Sequence, residues 1–174
     1  MIEKPTSLRL AGIVRESIVD GPWFRFAIFC QGCPHNCLDC HNQETHDFAG
    51  GKDIEFSRIL EEIDKNPLLS GVTFTGGEPF CQPEAFSALA EEIRKRKLDI
   101  VTFTGYTYER LLEMRKEQPA VGELLDATDI LIDGPFIKEE KDLTLQFRGS
   151  RNQRILDMNR TRSEGKPVLW ESGK

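Results

Sequence analysis

Apolar positions along the chain change their spacing several times, and each change marks an element. Residues 8–14 read as an edge strand or hairpin arm, and Asp20-Gly21-Pro22 turns the chain. Residues 23–30 are, apart from Arg25, apolar with no breaker and predict a strand that ends at Gln31-Gly32. Between residues 53 and 65, Ile54, Ile59, Leu60 and Ile63 fall on one helical face, and Pro67 closes the helix. Residues 71–75 form a short buried strand that runs into Gly76-Gly77-Glu78-Pro79. Residues 83–97 then read as an amphipathic helix, with Phe86, Leu89, Ala90 and Ile93 inward and Pro83 in its first turn. The unit repeats as a strand at 98–104, a turn at Gly105 and a helix at 108–116. Leu124 and Leu125 close a short further helix, and the strand at 127–133 is stopped by Gly134-Pro135. Beyond it the pattern weakens, leaving short strands at 154–157 and 167–170.

Strand–helix alternation at this spacing predicts an α/β fold with a mostly parallel sheet and right-handed crossovers. About four or five such units are too few to close an eight-stranded barrel, so the expected form is an open, incomplete (β/α) barrel. In such folds sites gather at the carboxyl ends of strands. The 174 residues fit one domain over 1–174, with a loop at 30–42 and a frayed tail at 171–174. Lys and Arg number 23 against 29 Asp and Glu, a net charge of −6, which argues against nonspecific nucleic-acid binding. No apolar run has the length of a membrane span, and the first residues lack the charged-then-apolar order of a secretion signal. The expected location is a reducing cytoplasm, where five cysteines serve metal ligation rather than disulfides.

Three of those cysteines carry the candidate chemistry. Cys33, Cys37 and Cys40 stand at C-x3-C-x2-C in a loop broken by Pro34 and Asn36. Three thiolates so placed can ligate three irons of a cubane cluster and leave the fourth open to a ligand. A structural zinc site formed by Cys33, Cys37, Cys40 and His41 is the alternative, although the two separated ligand pairs usual for such sites are absent. Gly76-Gly77-Glu78-Pro79 adds a flexible turn at a strand end, where backbone can approach a ligand and Glu78 offers a carboxylate to an ammonium donor. Alone it also reads as an ordinary glycine-rich turn. Cys30 and Cys81 lie outside the triad and read as packed thiols. Asp133 is open to a ligand or cation role and to a turn or capping role. Arg148, Arg151 and Arg154 suit a phosphate or the acidic surface of a partner, or a solvated charged face. His35, His41 and His46 read as loop residues.

The triad together with Gly76-Gly77-Glu78 resembles the radical S-adenosylmethionine (SAM) superfamily. Cys40-His41-Asn42, Gly50-Gly51 and Asp20-Gly21-Pro22 narrow the resemblance to activating enzymes of glycyl radical enzymes. Residues 104–109, Asp133-Gly134-Pro135-Phe136 and above all residues 147–154 are similar to the activating family of anaerobic (class III) ribonucleoside-triphosphate reductases. The resemblance implies a radical SAM fold carrying one [4Fe-4S] cluster, with Cys33, Cys37 and Cys40 as its ligands. It implies reductive cleavage of SAM to a 5′-deoxyadenosyl radical, which takes a hydrogen atom from a glycine of the partner reductase. It implies SAM contacts at Asp39, Cys40, His41, Gly76, Gly77, Glu78, Pro79, Thr104 and Asp133, and flavodoxin or ferredoxin as electron donor. Residues 147–154 are expected to engage the reductase rather than SAM. Asp39 stands where many radical SAM proteins carry an aromatic residue beside the adenine, so adenine packing is expected from elsewhere and Asp39 contributes only backbone. Activation of another glycyl radical enzyme, of the pyruvate formate-lyase type, and a small-molecule reaction such as that of a deazapurine synthase are the enzymatic alternatives. The zinc-binding interaction module is the non-enzymatic one.

Overall fold

Four strands rich in aliphatic, aromatic and threonine residues lie parallel at the centre of the protein: β2 (Arg25–Cys30), β4 (Gly71–Gly76), β5 (Asp99–Phe103) and β6 (Ile130–Asp133). The computed structural model describes residues 3–35, 37, 40 and 43–171. The antiparallel strands β1 (Ser7–Ser17) and β3 (Lys52–Glu55) flank the parallel core on one side, and β7 (Arg154–Asp157) flanks it on the other. Among the described residues this makes one seven-stranded sheet in the order β3-β1-β2-β4-β5-β6-β7. Its two edges do not meet, so the barrel is incomplete and open, as the count of strand–helix units predicts.

Five helices complete the fold among the described residues: α1 (Phe56–Asp64), α2 (Pro83–Arg94), α3 (Tyr108–Met114), α4 (Pro119–Ala127) and α5 (Met158–Glu164). The period-2 alternation of the strands sorts their side chains. Phe26, Ile28, Val72, Phe74, Ile100 and Leu131 face the helical layer and share one buried core with Phe86, Leu89, Ile93, Leu111 and Leu124. Phe74 and Phe86 meet there as a tilted pair with centroids 4.7 Å apart. The intervening residues Phe29, Thr75, Phe103 and Ile132 point to the other face and line a cavity.

The helix expected over residues 53–65 begins later than the sequence pattern suggests. Residues 52–55 are strand β3, which pairs Leu8 with Ile54 and Arg9 with Asp53. Ile54 fits the helical spacing, but the unpaired backbone of β1 takes the segment as an edge strand. Helix α5 follows the last strand where no helix is expected from hydrophobic spacing. The Asp157 carboxylate accepts from the Arg160 N–H at its start, and Gly165 closes it at φ 71°. No described helix is long and apolar enough to cross a membrane.

Candidate functional site

The carboxyl ends of the parallel strands open into a cavity of about 820 Å³. Cys33, Cys37 and Cys40 line it together with Thr75, Gly76, Gly77 and Thr104. The structure thus brings the cysteine loop and the glycine-rich turn to one place, as their positions after β2 and β4 predict. Backbone hydrogen bonds join the two loops: the Gly77 N–H donates to the Cys30 carbonyl at 2.9 Å, and the Glu78 N–H to the Gly32 carbonyl at 2.8 Å. Both glycines are required by geometry. Gly76 sits at φ 93°, and a Cβ there would lie 2.6 Å from the Cys30 nitrogen. A Cβ on Gly77 would collide with the Gly32 carbonyl.

Glu78 is fully buried and does not itself line the cavity. Its carboxylate accepts from the Thr104 hydroxyl at 2.9 Å, the Gly105 N–H at 2.8 Å and the Phe80 N–H at 3.1 Å. It also pairs with His35 Nε2 at 2.5 Å. His35 does line the cavity, lies edge-on to Tyr106 with centroids 4.5 Å apart, and fits only because residue 105 is glycine. The sequence pattern makes His35 a loop residue; its contact with Glu78, 43 positions away, has no local signal. Glu78→Gln keeps the shape but places an NH2 group against donors. The apoprotein should lose about 1–3 kcal/mol, measured by denaturant unfolding. An unchanged midpoint would mean that these contacts do not hold the loops together.

The electrostatics favour a cationic group beside Cys33. Burial pushes the Cys33 thiol up to about 11, against a backbone hydrogen bond at His35, and the negative charges of Glu78, Cys40 and Cys37 raise it further. Thiols in such a place become thiolates only when a metal supplies compensating charge. Three cysteines that line one cavity fit a metal cluster. Among the described residues, no three His, Cys, Asp or Glu side chains converge as a single metal ion would need. Cys30 instead packs into the helix-side core, where burial holds its thiol protonated well above the usual range. Burial likewise raises Cys81 to about 12, beside Tyr106. Neither lines the cavity.

Other expected ligand residues are placed differently. Pro79 is buried below the turn, away from the cavity lining. Asp133 is 1% exposed, and its carboxylate is taken by Arg154 and by the Tyr108 N–H at 2.8 Å. It ties the end of β6 to the start of α3, in keeping with the turn role open to it. Asp39 and His41 lie outside the described residues.

Residues 147–154 lie partly on the cavity. Phe147, Arg148, Gly149 and Gln153 line the same cavity as the cysteines. Much of the segment is internally bonded: Asn152 donates to the Pro135 carbonyl, Gln153 to the Gly134 carbonyl, and Arg154 to Asp133 and Glu109. Among buried side-chain polar atoms of the described residues, Arg148 Nε and Asn152 Oδ1 have no partner.

A family model described as a 4Fe-4S single cluster domain matches residues 19–156. The chain is 35% identical over 147 residues to the anaerobic ribonucleoside-triphosphate reductase-activating protein of Vibrio cholerae, covering 79% of this chain and 90% of that one. It is 32% identical over 159 residues to pyruvate formate-lyase 1-activating enzyme of Escherichia coli, covering 87% of this chain and 61% of the relative. Among solved structures, QueE from Escherichia coli aligns with a TM-score of 0.43 and 17% identity, covering 58% of this chain and 54% of that one.

Proposed function

The chain belongs to the family of the anaerobic ribonucleoside-triphosphate reductase-activating proteins, and we propose that it forms a glycyl radical on such a reductase. The observation that carries this reading is the single cavity lined by the three loop cysteines and the glycine-rich turn. Cys33, Cys37 and Cys40 hold one [4Fe-4S] cluster per chain, and Gly76, Gly77 and Thr104 form the wall against which SAM is seated. When bound, the cluster and SAM would supply a 5′-deoxyadenosyl radical, formed with release of methionine as one electron cleaves the sulfonium carbon–sulfur bond, to take a hydrogen atom from the substrate glycine. A flavodoxin or ferredoxin provides the electron.

The chain's own residues bind, orient and shield. Thr104 and the Gly105 N–H fix the Glu78 carboxylate, and an ammonium group reaches that carboxylate only by replacing His35. Phe29, Phe103 and Ile132 give the cavity apolar walls that exclude water from a reactive radical. Of these, Phe29 and Phe103 at the strand ends supply the aromatic surface that Asp39 lacks.

The test is isotopic. Reductase labelled with deuterium at glycine Cα should transfer deuterium into 5′-deoxyadenosine when mixed anaerobically with reduced protein and SAM. Unlabelled 5′-deoxyadenosine at full turnover would overturn the assignment of glycine as hydrogen donor.

A further inference from the structure

We infer that Arg148 is a substrate-binding residue, and that its Nε–H is kept for a main-chain carbonyl of the glycine-bearing segment of the partner reductase. The inference rests on the activating function proposed above and goes beyond it by naming the contact. Among the described lining residues Arg148 is the only Lys or Arg. One arm of its guanidinium is anchored, with Nη1 donating to the Gln153 carbonyl at 2.9 Å. Its Nε is buried and unpartnered. A buried donor left unpaired is costly, and its persistence marks a place where an acceptor arrives with a ligand.

The surroundings hold Arg148 in position. Phe147 sits at φ 61°, a conformation that bulky residues rarely adopt, and such strain concentrates at binding sites. The Phe147 ring packs on Trp170 at 6.5 Å, and Trp170 packs in turn on Trp23 at 6.3 Å. A Cβ on Gly149 would lie 2.9 Å from the Phe136 ring, so the loop is seated closely on that side chain. Arg148 is therefore presented by a rigid support rather than by a free loop.

The position in the cavity identifies the ligand. The strand ends, the cysteines and the glycine-rich turn line the part of the cavity assigned above to the cluster and SAM. Arg148 belongs instead to a stretch that includes half-buried Leu145 and exposed Gln146 and follows Leu143, which is 84% exposed. Ile18 and Val19, each 71% exposed, also border the cavity. A molecule entering past these apolar lips meets Arg148. Glycine has no side chain to recognise, so a glycine-bearing segment is read through its backbone, and carbonyl oxygen is the acceptor it offers.

The test measures two affinities in the same reconstituted protein, for SAM and for the anaerobic reductase. Arg148→Ala should weaken reductase binding about tenfold or more while SAM affinity changes less than about twofold. Arg148→Lys keeps the charge but lacks a donor at the Nε position, and it should weaken reductase binding similarly. Fluorescence of Trp23 and Trp170, which pack in line with Phe147, reports whether each variant keeps its local fold. An equal loss of SAM affinity would move Arg148 into the cofactor site. Full reductase binding by either variant would overturn the directed hydrogen bond. If the unsubstituted protein fails to bind the reductase, the function proposed above falls, whatever the variants do.

Discussion

Arg25→Ala should cost about 3–5 kcal/mol, lowering the melting temperature by roughly 10–15 °C, because Arg25 is a fully buried cation with every contact internal. Its guanidinium donates to Thr73 Oγ1 at 2.8 Å, to the Pro22 carbonyl at 3.1 Å, to the Val72 carbonyl at 2.9 Å and to the Asp99 carboxylate. Burial lowers the Arg25 pKa and raises that of Asp99, so desolvation outweighs the attraction between them. Such a pair gives little net stability, yet removing one member strands the other. The same side chain holds the loop carrying Asp20, since Thr73 also donates to the Asp20 carbonyl at 2.6 Å. Thermal unfolding checks the value. Removing Asp99 as well should restore part of the loss. A single substitution costing less than about 1 kcal/mol would show that water reaches the site.

Cys33→Ala, Cys37→Ala and Cys40→Ala should each lower the iron and sulfide bound after anaerobic reconstitution by about tenfold or more, with loss of the brown colour. Cys30→Ala and Cys81→Ala should bind iron near the normal level, because both thiols lie outside the cavity. Cys30→Ala may not be exchanged for a polar residue in this test, since its site is part of the buried core. Iron analysis and visible absorption distinguish the two groups. A Cys81→Ala protein without iron would mean that the ligand set extends beyond the triad.

The parallel strands and the helices between them were legible because each carries its own hydrophobic period. The triad and the glycine-rich turn were legible because their residues are close in sequence. What escaped depends on pairing over distance. Arg25 sits in an apolar run, and nothing local says that Thr73 and Asp99 wait to receive it. Asp133 and Arg154 each have several readings in the sequence, and none of them pairs the two residues as the structure does. Strand β3 was read as helix because edge pairing with β1 leaves no trace in the spacing of Ile54 and Ile59. Helix α5 had local signals in Asp157 and Gly165, both of which weigh less than hydrophobic spacing when that spacing is absent.

On the function proposed above, the cysteine-lined cavity generates a radical on a partner's glycine. Electron paramagnetic resonance tests it most directly, on a class III reductase mixed anaerobically with SAM, reductant and this protein. The account predicts a glycyl radical signal on the reductase that requires SAM and is absent with Cys37→Ala. A colourless protein that binds stoichiometric zinc and yields no radical would contradict it.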